Sequence, residues 1–153
     1  MNAYSQYQHN QILSASSEQI LLMLYDGAIR FTRQAMYGLE EENLTLFHHG
    51  IKKSMAIITE FSNSLNHEIG GEIAENLDAL YNFMIRELTL ANLHKDVEKL
   101  RIVDRLLTDL RATWGEAVKL NKGQIPVDTM LAREKKGPTQ AVPDEYIPLS
   151  ISR

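Results

Sequence analysis

Residues 43–65, NLTLFHHGIKKSMAIITEFSNSL, place apolar side chains at alternating steps of three and four residues. The positions of this stripe are Leu44, Phe47, Ile51, Met55, Ile58, Ser62 and Leu65. The spacing has the period of an α-helix and not the two-residue alternation of a half-buried strand. Asn43 precedes the stripe and has a side chain suited to capping the first turn. The segment therefore predicts an amphipathic helix that buries one face.

Three other segments have the same period. The first predicted helix begins at Ser16, where Ser16-x-x-Gln19 has the form of a capping box, and runs to about Leu39 before three glutamates. The pair Gly70-Gly71 predicts the turn that precedes the third helix. Its inward positions are Ile73, Leu77, Leu80, Met84, Leu88 and Ala91.

The fourth predicted helix follows a turn at residues 92–95. Asp96 is a suitable cap for it. Its inward positions are Leu100, Val103, Leu107, Leu110, Trp114 and Val118. Each of the four helices is about 20 residues long and the links are short, so consecutive helices should pack antiparallel. The predicted fold is all-α, an antiparallel up-down four-helix bundle.

Proline divides the chain, because it removes a backbone donor and clashes with the preceding helical turn. The prolines are Pro126, Pro138, Pro143 and Pro148, and none occurs earlier in the sequence. We therefore expect an N-terminal arm at 1–15, a four-helix-bundle domain at 16–120 and a proline-containing extension at 121–153. Whether this tail lies on the bundle or is a flexible extension stays open at this point.

Composition excludes several classes of protein. The 153 residues include no cysteine, so disulfides and zinc–thiolate sites are excluded. A formal charge of -4 argues against a nucleic-acid partner. The start of the chain lacks the pattern of a signal peptide, and no apolar run is long enough to insert in a membrane. We expect a cytoplasmic protein.

The motifs of enzymes are also missing. A di-iron site in a four-helix bundle needs Glu-x-x-His on two helices, and no histidine here has a glutamate three residues before it. The sequence has no phosphate loop, GxGxxG or GxSxG. Asp26 and Arg30 have the spacing of an ordinary surface ion pair. We expect no catalytic residue, no metal and no cofactor.

The apolar surface exceeds what one packed face requires. Apolar residues of the first helix cover roughly 200° of its circumference, against a little over 100° for a helix packed on one side. Further apolar residues lie off the main stripes of the third and fourth helices. The surplus residues that we select as candidate contacts with a partner's amphipathic helix are Ile20, Met23, Phe83, Leu90, Ile102 and Leu106. The alternative is that they contact the arm or the tail, or are scattered surface residues.

Two segments resemble a known family. They are residues 15–29, ASSEQILLMLYDGAI, and residues 70–77, GGEIAENL, which continue through LYNFMIR at 80–86. Together they resemble the flagellar secretion chaperone FliS family, and the likeness covers about residues 3–120. The chain departs from the family pattern at Ser17, where proline is usual, and in its long tail.

This resemblance implies a non-enzymatic export chaperone in the cytoplasm. Members bind the C-terminal segment of flagellin, prevent premature polymerisation and deliver the subunit to the flagellar type III export gate. It also implies a role for aromatic residues ahead of the first helix, here Tyr4 and Tyr7, in covering the groove or contacting the export gate. The free chain is expected to be a monomer or weak dimer. The alternatives are a structural subunit of an obligate oligomer and, third, a metal or haem enzyme.

Overall fold

The computed structural model describes residue 3 and residues 16–121. Four helices account for nearly all of the second range: α1 (Ser17–Glu40), α2 (Leu44–Asn63), α3 (His67–His94) and α4 (Val97–Asn121). The all-α fold is confirmed for these residues. The predicted tail and almost all of the predicted arm lie outside them.

Side chains at the predicted caps hold the starts of three helices. Ser16 Oγ accepts a hydrogen bond from the Gln19 backbone N–H at 3.2 Å, and Gln19 Oε1 accepts one from the Ser16 N–H at 3.1 Å. Asn43 Oδ1 accepts from the backbone N–H three residues later at 3.1 Å. The Asp96 carboxylate accepts from the N–H of Glu98 at 2.9 Å. The three capping predictions are confirmed.

The start of α3 differs from the prediction. Asn66 caps this helix by accepting from the Ile69 N–H at 3.0 Å, so the turn lies at 64–66 and not at Gly70-Gly71. Gly71 instead interrupts the helix, with φ 53° and ψ -127°. That backbone conformation is open to glycine and costly for residues with a Cβ atom. The glycine therefore redirects α3 after its first turn.

The helices form a ring in chain order. α2 lies between α1 and α3, and α4 closes the ring against α3 and α1. Two ion pairs tie α1 to α4: Asp26 to Arg111, and Arg33 to Asp104, each at 2.8 Å. The residue that is later in α1 pairs with the residue that is earlier in α4, so these two helices run antiparallel. With links of two or three residues between the other pairs, the up-down topology is confirmed.

Asp26 does not pair with Arg30 as its spacing predicts. The carboxylate of Asp26 accepts two hydrogen bonds from the Arg111 guanidinium, at 2.8 and 3.3 Å. The guanidinium of Arg30 lies 5.1 Å from the centre of the Phe31 ring. The expected pair within α1 is wrong because the planar guanidinium on α4 offers a two-point partner.

The backbones of α1 and α2 approach closely at two glycines. A Cβ atom on Gly50 would lie 2.5 Å from the carbonyl oxygen of Phe31 and 2.7 Å from the backbone nitrogen of Ala35. A Cβ atom on Gly38 would lie 2.6 Å from the backbone nitrogen of Phe47. No side chain fits between the two helices at these positions.

A buried aromatic cluster fills the centre of the bundle. The hydroxyls of Tyr25 and Tyr81 lie 2.6 Å apart and share a hydrogen bond between α1 and α3. The Phe61 ring of α2 stacks on the Tyr25 ring with their centres 4.4 Å apart, and the centres of the Phe61 and Tyr81 rings are 5.4 Å apart. The contact between the hydroxyls satisfies polar groups that would otherwise be buried without partners.

Most predicted core positions are buried. Those confirmed as core are Phe47, Ile51, Ile58, Leu65, Leu77, Met84, Leu88, Ala91, Leu100, Val103 and Leu107. Two are wrong: Ile73 is 57 % exposed and Leu44 is 46 % exposed. Leu44 is the first residue of α2, and Ile73 follows the Gly71 interruption. Both therefore lie at helix starts, where the neighbouring helices give less cover.

We predict that Gly50→Ala destabilises the bundle by about 1–3 kcal/mol, because the new Cβ forces the α1 and α2 backbones apart. The matched control is Gly27→Ala, at the same junction of α1 and α2, where the Cβ would lie 3.5 Å from the end of the Ile57 side chain, an ordinary contact. That control should be neutral or stabilise the helix by about 0.5–1 kcal/mol. Urea unfolding followed by circular dichroism measures both. Equal effects of the two substitutions would contradict the close packing.

We also predict that the protein loses stability as the pH rises above about 10. Burial raises the pKa of the Tyr25 and Tyr81 hydroxyls above the value for an exposed tyrosine. As the pH rises, these hydroxyls therefore ionise in the unfolded chain before they ionise in the folded chain. The free energy of unfolding falls over the pH range between the unfolded and the folded pKa. The loss should reach about 1.4 kcal/mol per pH unit for each group. Urea midpoints of the Tyr25→Phe/Tyr81→Phe variant should vary less with pH. The exposed Tyr37→Phe control should follow the unsubstituted chain, and an equal alkaline loss in all three proteins would contradict the prediction.

Candidate functional site

One ion pair shows which edges of α3 and α4 face each other. Lys99 Nζ lies 3.4 Å from Glu87 Oε1. Phe83 is four residues before Glu87 and Leu90 three residues after it, so both occupy the same edge of α3. This edge therefore faces α4.

The facing edge of α4 carries two other predicted residues. Ile102 lies three residues after Lys99, and Leu106 lies seven after it, both on the edge directed toward α3. Because the helices are antiparallel and only residues 95 and 96 link them, Leu90 comes level with Ile102, Phe83 comes close to the level of Leu106, and Glu87 lies between these two apolar pairs. We call the four apolar residues Phe83, Leu90, Ile102 and Leu106, with Glu87 and Lys99 between them, the α3–α4 seam.

The seam is partly open to solvent. Phe83 and Leu106 are half-buried and pack against the core, Ile102 is half-buried, and Leu90 is 36 % exposed. The guanidinium of Arg86 lies 5.9 Å from the centre of the Phe83 ring. An exposed side chain of this kind is free to move aside, so the Phe83 ring is available to an incoming apolar group.

Ile20 and Met23 occupy a different part of the bundle. A Cβ on Gly27 would meet Ile57 of α2 at 3.5 Å, so Gly27 marks the edge of α1 that faces α2. Met23 lies one turn before Gly27 and Ile20 nearly two turns before it, on this same edge. Both are half-buried. The structure thus brings four of the six predicted contacts together and leaves these two near α2.

Tyr4 and Tyr7 lie outside the residues that the structure describes. Their predicted role in covering the groove or contacting the export gate stays a prediction.

Comparison with known proteins gives the family. The model of the family Flagellar protein FliS matches residues 1–121. The chain belongs to the FliS family. It is 32% identical over 118 residues to Flagellar secretion chaperone FliS of Bacillus subtilis (strain 168), covering 77% of this chain and 87% of that protein. It is 35% identical over 116 residues to Flagellar secretion chaperone FliS of Salmonella typhimurium (strain LT2), covering 74% and 86%.

The family is one of flagellar secretion chaperones, which confirms the resemblance drawn from the two sequence segments. The chaperone function of this FliS-family chain must therefore reside in surfaces that hold another protein. None of the described helices is long and apolar enough to span a membrane. Within the same residues, no three His, Asp or Glu side chains are grouped so that they could hold a metal ion.

The broad apolar surface of α1 has a structural explanation. In the ring, α1 has one flank against α2 and another against α4, so both flanks are apolar. Ile29 and Met36 are partly buried against the core, as is Leu24. These three surplus residues of α1 in this FliS-family chain are therefore packing surface, and Phe83 and Leu106 of the seam also pack against the core on their inner side.

Sequence reasoning missed the charged pair in the seam. Glu87 and Lys99 belong to different helices and are twelve residues apart, so their pairing depends on how the turn between α3 and α4 is built. A usable signal was present, because Glu87 lies at helical spacing from both Phe83 and Leu90. That spacing puts a carboxylate in line with an apolar edge.

A separate open cleft of about 630 Å³ lies between the end of α1 and the start of α4. Its lining includes Arg33, Met36, Lys95 and Val97, and none of the six predicted contact residues. The residues predicted from the sequence therefore do not line this cleft, and the α3–α4 seam is the candidate site that they define.

Proposed function

We propose that this chain is a cytoplasmic export chaperone that binds the C-terminal segment of flagellin, prevents its premature polymerisation and delivers it to the flagellar type III export gate. The observation that carries the proposal is an open apolar seam on a bundle that belongs to a family of flagellar secretion chaperones. The chain acts by binding and not by catalysis.

The geometry of the seam suits an amphipathic helix. Phe83 and Leu90 are seven residues apart on α3, about 10 Å along the helix axis, and Ile102 and Leu106 supply the opposite wall. A client helix that places apolar residues at positions i, i+3 and i+7 would reach both walls in the way that helix-in-groove complexes do. Ile20 and Met23 give the client a second apolar contact, near α2.

Coupled folding explains why such a client is held and later released. A disordered segment loses conformational freedom when it becomes helical on the chaperone, and this cost offsets much of the energy gained from apolar burial. Three of the four apolar seam residues are already half-buried before any client binds. The additional burial is therefore moderate, which suits a complex that has to dissociate at the export gate.

We predict saturable binding between the full chain and a synthetic peptide from the C-terminus of flagellin of the same organism. Calorimetric titration should give a negative heat-capacity change, and circular dichroism should show added helix. Phe83→Ser/Leu106→Ser should weaken binding by about tenfold or more, because apolar anchors are lost from the groove. The matched control is Leu44→Ser, which removes a leucine at the start of α2 that is 46 % exposed and belongs to a helix outside the seam.

Three outcomes would separate the possibilities. Absence of binding to a folded chaperone would contradict the proposed client. If the control weakened peptide binding as much as Phe83→Ser/Leu106→Ser, the seam would not be the binding site. If only Ile20→Ser/Met23→Ser weakened peptide binding, the client would instead bind near α2. Sedimentation velocity should show a monomer or weak dimer, whereas a stable oligomer at all concentrations would favour a structural subunit.

Tyr4 and Tyr7 are proposed to cover the groove or contact the export gate. We predict that Tyr4→Ala/Tyr7→Ala reduces flagellin secretion in cells by more than it reduces affinity for the flagellin peptide. The reason is that delivery to the export gate would use these tyrosines, whereas client binding would use the α3–α4 seam. Secreted flagellin is measured by immunoblot beside the titration of the purified variant. The Tyr37→Ala variant, which removes an exposed tyrosine of α1, is the control. Unchanged secretion would contradict the role.

A further inference from the structure

The α3–α4 seam has a charged pair in its middle. Going along the seam, Phe83 and Leu106 lie on one side of Glu87, and Leu90 and Ile102 lie on the other, with the long Lys99 side chain reaching back to the Glu87 carboxylate. Helical rise places Phe83 about 6 Å and Leu90 about 4.5 Å from the level of Glu87. An apolar groove for a helix does not need an ion pair at its centre.

The pair is poorly solvated and loosely joined. The side chain of Glu87 is 10% exposed and that of Lys99 is 28% exposed. Their closest atoms are 3.4 Å apart, whereas the two ion pairs between α1 and α4 each close to 2.8 Å. Among residues 16–121, neither side chain has another hydrogen-bond partner. Each group therefore keeps hydrogen-bonding capacity that this single contact does not use, and its exposed part, larger for Lys99 than for Glu87, is open to water.

A bound segment would remove that water. If it placed an apolar side chain over the pair, both charges would lose hydration without gaining a partner, which is costly for partly buried ions. A side chain that both donates and accepts, such as that of Gln, Asn or Ser, would replace the water at each group. A carboxylate or an ammonium would repel one member of the pair while attracting the other.

We propose that Glu87 and Lys99 set the register of the bound helix by accepting an uncharged polar side chain at their level. This inference rests on the proposed function. The segment that fits has one such residue within its apolar stripe, with apolar residues three or four positions away on each side. A helix shifted by one turn would bring an apolar side chain over the pair and would bind more weakly. Buried polar positions fix register in coiled coils by the same mechanism.

A purely structural role for the pair predicts a different result. If the ion pair only joined α3 to α4, its removal would change stability and would weaken binding equally for every client sequence. The distinguishing measurement is therefore the coupling between the pair and individual positions of the peptide, and not affinity alone.

The test uses the full chain and the flagellin C-terminal peptide, with each uncharged polar residue of the peptide replaced in turn by leucine. For the unsubstituted chain, one replacement should weaken binding by about tenfold, because it leaves the pair without a polar partner. For Glu87→Met/Lys99→Met, the same replacement should have no effect or should strengthen binding. The original peptide should bind this variant more weakly than the unsubstituted chain, because its polar residue then lies over methionines without a partner, and the leucine-substituted peptide should recover affinity.

The matched control is Glu98→Met/Arg101→Met, which removes an exposed ion pair of α4. With this control variant, the same leucine replacement in the peptide should still weaken binding by about tenfold. Glu87→Leu/Lys99→Leu is the second variant if the methionine variant fails to fold, as judged by circular dichroism, and it should remove the same loss because it also removes both charges.

The outcomes distinguish this inference from the function on which it rests. Failure of the peptide to bind the unsubstituted chain overturns both. Binding that depends on Phe83 and Leu106 but shows the same position dependence with and without the charged pair overturns the register inference alone. Loss of the position dependence in the pair variants, with the leucine-substituted peptide still bound, supports it.

Discussion

The close approach of α1 and α2 is the constraint on which the rest of the bundle depends. Gly38 and Gly50 let the two backbones meet, and this pair of helices has the most extensive contact in the ring. Contact this close strengthens the dispersion attraction between the helices, but it leaves no space for a larger side chain or for a shift of one helix against the other. The positions of Tyr25 on α1 and Phe61 on α2 are fixed by it, and Tyr81 of α3 is then held against both.

The opposite pair of helices is built differently. α3 and α4 make the least extensive contact among neighbours in the ring, and larger side chains, including Phe83 and Leu106, lie along their junction. A tightly packed half and a less tightly packed half suit a chaperone, because the fold is maintained by one side while the other keeps apolar surface available. The same asymmetry explains how the largely buried carboxylate of Glu87 is accommodated beside Lys99 at this junction.

The sequence predicted features that depend on residues close in the chain. Helical period, the caps at Ser16, Asn43 and Asp96, and most buried positions were correct, because each is decided within one or two turns. Two errors had different causes: a neighbour from elsewhere in the chain decided the partner of Asp26, and a nearby cap decided the start of α3. Asp26 pairs with Arg111 of α4 instead of Arg30, and the preference of Asn66 for a cap placed the start of α3 ahead of the glycine pair.

The sequence by itself determined the helices, the order in which they fold back on one another, the family and the surplus of apolar residues. Only the tertiary structure decided how that surplus is divided: Phe83, Leu90, Ile102 and Leu106 share one seam, whereas Ile20 and Met23 lie near α2. The physical reason is that a helical repeat fixes the angle of each side chain about its own helix axis but not which neighbour that angle faces. That depends on the arrangement of all four helices, as does the meeting of Glu87 with Lys99.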